Sequence, residues 1–161
     1  MKHLIYLISL STLFVSTCSF CQSDTLSLTG TTIIPNTSNQ QLAMNYGFIL
    51  KDVENLPCDE TGGKESLKNE IFEFVKTDTL WQIEVFITGN CCHSFLCDIS
   101  IEENNTLNLI SLGYGSTYCS CTCCFGLTYL IEIESFTDNH KDIQYVTVNG
   151  LESTKILIVK N

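Results

Sequence analysis

The chain has 161 residues, of which 44% are hydrophobic and 16% are charged, a composition typical of an ordered globular protein with one domain. Its formal net charge is −10, and all eight basic residues are lysines. Phosphate and guanine recognition rely on the bidentate arginine fork, so we expect no nucleic-acid partner for an acidic chain without arginine. Its negative charge also predicts repulsion from anionic lipid head groups. Cations, basic partners and neutral ligands remain open.

The N-terminus predicts a secretory signal peptide over residues 1–21. Lys2 precedes an apolar run from Leu4 to Val15, and Ser19 and Cys21 are the small residues at positions −3 and −1 before a cleavage site. The apolar run is shorter than the roughly 20 residues that a membrane-spanning helix needs. We therefore expect no transmembrane span after removal of the signal, and a single β-sandwich domain over residues 22–161.

An alternative for the N-terminus is a lipid anchor. The run from Val15 to Cys18 resembles the lipobox of bacterial lipoproteins, in which the cysteine is lipidated and becomes the new N-terminus. Thr17 departs from the usual Gly or Ala before that cysteine. Lipidation at Cys18 is therefore kept as the alternative to simple cleavage.

The rest of the chain reads as a series of short strands. Apolar and polar residues alternate most clearly in residues 79–88, where Trp81, Ile83, Val85 and Ile87 form one face, as in a half-buried strand. We predict strands within 23–35, at 46–53, 66–76, 79–88, 95–101, 106–112, 119–123, 127–136, 143–148 and 155–160.

Turn residues separate these strands. Residues 36–41 are predicted as a polar turn or loop, 51–64 as the longest loop and 102–105 as a hairpin turn, and Asn149-Gly150 joins the last two strands. No segment is typical of a helix. Strands that recur about every 10 residues predict an all-β antiparallel sandwich of the Ig-like or jelly-roll type.

Eight cysteines follow the signal peptide, and we predict that they form disulfides that stabilise the sandwich. They are Cys58, Cys91, Cys92, Cys97, Cys119, Cys121, Cys123 and Cys124. Alternate cysteines of an extended 119–123 segment would lie about 6.5–7 Å apart, too far for a relaxed bridge. We expect this segment to pair across strands or sheets instead, with Cys91, Cys92 and Cys97 as its nearest partners in sequence.

A thiolate metal site is the alternative use of the same residues. Zinc and copper(I) favour thiolate ligands, and the candidate set is Cys91, His93, Cys97 and Cys121. No paired C-x2-C motif supports it. We name no catalytic residue, because neighbours such as Cys92 and His93 face opposite sides of a strand.

The cysteine-rich region also carries a resemblance. The runs GNCCHSFL (residues 89–96), NTLNLI (105–110), Tyr114-Gly115 and CSCTCCFGLTY (119–129) together resemble small exported bacterial proteins of unknown function. The resemblance covers about a third of the chain, from Gly89 to Tyr129. It implies an exported bacterial protein with a recurring cysteine-rich β-unit, and it implies no activity.

These observations predict a non-catalytic binding or structural module of the cell envelope. We expect it in the periplasm, on the cell surface or outside the cell, without a cofactor and with an unidentified envelope or extracellular ligand. The alternative is a zinc-binding or copper-binding protein that uses the Cys/His set above.

Overall fold

The computed structural model describes residues 30–56, 68–115 and 118–158. In these residues it contains nine strands, one α-helix and one 3₁₀ turn at Asn139–Asp142. The elements are β1 (Thr31–Ile33), α1 (Thr37–Asn45), β2 (Phe48–Leu56), β3 (Glu70–Lys76), β4 (Leu80–Asn90), β5 (Ser94–Glu102), β6 (Thr106–Tyr114), β7 (Thr122–Ile133), β8 (Tyr145–Val148) and β9 (Leu151–Leu157).

The strands form two sheets, which confirms the predicted β-sandwich. One sheet has the order β1-β5-β6-β8-β9 and the other has the order β2-β7-β4-β3. The four-stranded sheet is antiparallel throughout. The five-stranded sheet is mixed, because β1 pairs with β5 and β6 pairs with β8 in parallel. The predicted antiparallel pairing holds for every other pair of neighbouring strands in these sheets.

The core lies between the sheets and follows the alternation of the sequence. The predicted apolar face of β4 is buried, and Trp81, Ile83 and Val85 have no exposed surface. An edge-to-face pair of rings joins the two sheets. The ring centroids of Phe95 in β5 and Phe125 in β7 are 4.9 Å apart.

Two hairpin turns have the backbone geometry that their residues predict. Asn104 and Asn105 follow β5 with φ of 62° and 56°, and Asn149 and Gly150 follow β8 with φ of 52° and 66°. Positive φ is common in tight hairpin turns, and Asn and Gly tolerate it best. These turns confirm the hairpins predicted at 102–105 and at Asn149-Gly150.

The helix α1 corrects the prediction of a loop at 36–41. Asn36 caps the helix, because its side-chain oxygen accepts hydrogen bonds from the backbone N–H groups of Ser38 and Asn39 at 3.0 and 3.4 Å. The helix is short and polar, and within it Ala43 alone is buried, so its sequence has no apolar stripe to reveal it. Within the described ranges, no helix is long and apolar enough to cross a membrane.

Candidate functional site

Two disulfides connect the crossings between the sheets at one end of the sandwich. Cys91 is bonded to Cys121 and Cys92 to Cys119, with Cα–Cα separations of 5.7 and 5.6 Å. The chain leaves the four-stranded sheet through Cys91 and Cys92, after β4, and returns to it through Cys119 and Cys121, before β7. We call these four residues the disulfide hub.

A turn lets two consecutive cysteines bond to the same segment. Cys91 and Cys92 lie in a turn closed by a 2.9 Å hydrogen bond from the backbone N–H of His93 to the carbonyl of Asn90. In a strand their side chains would point to opposite faces. The partner segment is not a strand either, since β7 begins at Thr122. The predicted extended segment 119–123 is therefore wrong over its first three residues.

Asn90 holds the two sides of the hub together without using sulfur. Its side-chain oxygen accepts hydrogen bonds from the backbone N–H groups of Cys92 (3.1 Å) and Cys119 (3.0 Å). Its amide group donates to the carbonyls of Cys119 and Cys121. The side chain is buried, and all of its hydrogen-bonding capacity toward the chain is directed at this junction. The sequence prediction missed this residue, because a strand-ending Asn carries no distinctive signal.

Cys97 is a correction to the predicted disulfide set. It is a buried free thiol in β5, where it pairs in register with Ile33 of β1 and Ser111 of β6. The side chain of Cys97 packs in the core rather than against the turn at His93. Burial raises the pKa of the Cys97 thiol to about 11, with a smaller opposing contribution from its hydrogen bond to Tyr129. Cys97 is therefore protonated at neutral pH.

Two further predicted cysteines, Cys123 and Cys124, lie in β7, just after the hub. Cys123 is disulfide-bonded and buried. Cys124 is buried and lies opposite Thr88 of β4. Cys58 and Cys18 lie outside the described residues.

The predicted zinc or copper set of Cys91, His93, Cys97 and Cys121 is not brought together. The sulfurs of Cys91 and Cys121 are bonded to each other, and Cys97 lies in the core. The His93 ring packs on Gly113, with Nδ1 only 2.6 Å from the point where a Cβ on that glycine would lie. In the part of the chain that the structure describes, no group of three or more His, Cys, Asp or Glu residues is placed to hold a metal ion.

A cavity beside Asp98 is a second candidate site, and the sequence prediction missed it. The cavity, of about 130 Å³, lies where α1 packs against β2 and β5. Apolar side chains dominate its lining, which is formed by Ile33, Gln40, Ala43, Met44, Phe48, Ile49, Leu50, Asp98 and Ile99. An apolar cavity of this size holds a molecule about as large as benzene in other proteins.

Asp98 is the charged group in this lining. Its carboxylate accepts hydrogen bonds from the backbone N–H of Ile99 (2.8 Å), from the backbone N–H of Asn36 (3.2 Å) and from the side-chain amide of Asn39 (3.3 Å). The residue is buried. An ionised carboxylate offers about four acceptor positions, so one remains after these three contacts. Asp98 both fixes the start of α1 and forms part of the lining of the cavity.

Comparisons with known proteins leave the chain without a family assignment. No protein-family model, no curated protein and no solved structure matches it.

Proposed function

We propose that this protein is an exported, non-catalytic binding module of the cell envelope. The observation that carries the proposal is the apolar cavity with a single carboxylate, Asp98, in its lining. Such a site selects a ligand by shape and by one oriented polar contact. The disulfide hub supports export, because disulfides persist in oxidising compartments and are rare in the cytosol.

The chemistry of the cavity defines the ligand class. A volume of about 130 Å³ admits a small apolar group, and the acceptor of Asp98 favours a hydrogen-bond donor with a positive charge. The net charge of −10 attracts cations over a longer range. We infer that the ligand is a small apolar molecule, or the end of a larger one, that carries one protonated amine.

Benzylamine and benzyl alcohol test the binding site. We expect benzylamine to shift the backbone amide resonances of Ile33, Ala43 and Ile99 saturably in NMR titrations at neutral pH, and the alcohol to bind at least about 5-fold more weakly. In the Asp98→Asn variant this preference should disappear. The control Gln82→Ala alters an exposed residue of β4 that does not line the cavity, and it should keep the preference for benzylamine. Equal affinity for both probes in the wild type would contradict the role of Asp98, and binding of neither would contradict the binding function.

The mass of the protein recovered from the export compartment tests the location. A mature chain that begins at residue 22, with hub cysteines that resist alkylation until they are reduced, is expected. An added acyl mass would identify the lipid-anchor alternative at Cys18. Recovery of the full-length chain from the cytosol, with alkylatable hub thiols, would overturn the proposal of export.

A further inference from the structure

The disulfide hub gathers four sulfurs that the proposed binding function does not use. We propose that reduction of the hub by a dithiol converts Cys91, Cys92, Cys119 and Cys121 into a thiolate site that binds one Zn²⁺ ion. This inference goes beyond the binding role proposed above and does not depend on it. It also replaces the metal set predicted from the sequence, since Cys97 and His93 are no longer ligands.

The backbone positions of the hub suit a tetrahedral site. Zinc binds thiolates at about 2.3 Å, which places the sulfurs of a tetrahedral Cys₄ site about 3.8 Å apart. The Cα–Cα separations across the hub are 5.7 and 5.6 Å. Rotation about χ1 moves each released sulfur away from its former partner while the backbone stays in place. Both pairs lie side by side, because each segment contributes two cysteines within three residues.

Asn90 keeps this arrangement when the sulfur bonds are open. Its four hydrogen bonds to Cys92, Cys119 and Cys121 do not involve sulfur and survive reduction. The backbone N–H of Cys91 also donates to the carbonyl of Cys121 at 3.3 Å. A site held in place before the ligand arrives loses less conformational entropy on binding. The reduced hub is therefore a pre-arranged cluster of thiols.

The hub is also accessible to reductant and metal. Cys92 and Cys121 are exposed, and Cys91 and Cys119 are partly buried. Each disulfide therefore includes one exposed cysteine. Cys97 and Cys123, in contrast, are 1% and 3% exposed, so they are poor candidates for the same chemistry.

The reduction balances with two molecules of dithiol. A thiolate of the first attacks Cys92 Sγ, the bond to Cys119 breaks, and Cys119 leaves as a thiolate. The second thiol of the same molecule then closes a cyclic disulfide and releases Cys92. A second dithiol opens Cys91–Cys121 in the same way, so four electrons yield four thiols. Zinc binding then displaces the remaining thiol protons.

Zinc titration of the reduced protein tests the inference. The full chain is reduced with dithiothreitol, freed of it without oxygen, and titrated with Zn²⁺ against a chromophoric chelator, with the stoichiometry read by native mass spectrometry. We expect one zinc per chain. The Cys92→Ser/Cys119→Ser variant should bind at least about 100-fold more weakly, since loss of groups that merely orient ligands already costs 10–100-fold.

Two matched controls identify the ligands. Cys97→Ser and Cys124→Ser each remove one buried sulfur outside the hub and should change the affinity by less than about 3-fold. Co²⁺ in place of zinc should give the sulfur-to-metal charge-transfer absorption of a thiolate site in the wild type and both controls. If reduction lowers the β-sheet circular dichroism signal, zinc should restore it. Absence of zinc binding, no restoration of a lost signal, or a site that requires Cys97 would overturn the proposal.

Discussion

Asn90 is the residue whose removal tests the junction most directly. Asn90→Ala leaves the N–H groups of Cys92 and Cys119 and the carbonyl of Cys119 without this partner, while the carbonyl of Cys121 keeps its hydrogen bond from Cys91. Because unsatisfied buried polar groups cost about 1–3 kcal/mol each and some of these groups can reach water, we expect the free energy of unfolding to fall by about 2–4 kcal/mol.

Urea unfolding without reductant measures this loss. Asn45→Ala is the matched control, because Asn45 is exposed near the end of α1 and its removal should change stability by less than about 0.5 kcal/mol. If Asn90→Ala were as mild as this control, the disulfides alone would hold the junction.

The Cys97 thiol makes stability depend on alkaline pH. Its pKa is raised from 9.0 to about 11 in the folded state by burial. Between about pH 9 and pH 11 the unfolded chain has lost this proton while the folded chain keeps it, so stability falls as pH rises. Two pKa units correspond to about 3 kcal/mol. Burial also raises the pKa of the neighbouring Tyr129 well above its usual value, and its contribution has the same sign.

Comparison of the wild type with Cys97→Ala isolates the thiol. We expect the wild type to lose about 2 kcal/mol more than the variant between pH 8 and pH 10.5, measured by urea unfolding. The variant should keep the part of the alkaline loss that belongs to Tyr129. Equal losses in both proteins would show that Cys97 ionises as easily in the fold as in the unfolded chain.

At the scale of elements, the strands in which apolar and polar residues alternate were predicted correctly from the sequence. Every second residue is buried from Trp81 to Val85 in β4 and from Leu127 to Ile133 in β7, and this period of two is visible in the sequence. The helix α1 was missed because contacts that are remote in sequence stabilise it. The carboxylate of Asp98 accepts a hydrogen bond from the side-chain amide of Asn39, which is 59 residues away in the chain. The parallel pairings of β1 with β5 and of β8 with β6 were missed for a different reason. Side chains alternate between the two faces in the same way in parallel and antiparallel strands, so the sequence pattern does not distinguish them.

This account of α1 predicts the effect of removing the Asp98 carboxylate. Asp98→Ala should lower the free energy of unfolding by about 1–3 kcal/mol, because the N–H of Asn36 and the amide of Asn39 lose their acceptor. The amide protons of Gln40 and Ala43 should exchange with solvent faster, whereas those of β4 should keep their protection relative to global unfolding. Unchanged exchange in α1 would show that packing alone holds the helix.

At the scale of the whole molecule, the sequence indicated disulfides between distant segments but not their pairing. The spacing of Cys119, Cys121 and Cys123 along an assumed strand excluded bridges among these three cysteines. The actual pairing depends on two segments that are not strands. The turn at Cys91 and the loop before Thr122 face each other because β4 and β7 are neighbours in one sheet. Cys97 was grouped with them by proximity in sequence, but its strand carries it into the core.

The two hub disulfides constrain the same loop, which predicts that their contributions are not additive. The bonded residues are 30 and 27 positions apart. Loop-closure entropy assigns about 3–4 kcal/mol to the first bridge, but only about 2 kcal/mol to the second, which closes a loop of a few residues once the first is present. Loss of either bridge alone, in Cys91→Ser/Cys121→Ser or Cys92→Ser/Cys119→Ser, should therefore cost about 2 kcal/mol.

The variant without both bridges should lose about 5–6 kcal/mol, more than the sum of the two single losses. Urea unfolding of the wild type, the two double variants and the quadruple variant forms a complete thermodynamic cycle for this coupling. A quadruple loss equal to the sum would mean that each bridge acts on a separate part of the unfolded chain. A loss well below 5 kcal/mol would mean that Asn90 and the core already hold the crossings, so that the hub can be opened at little cost to the fold.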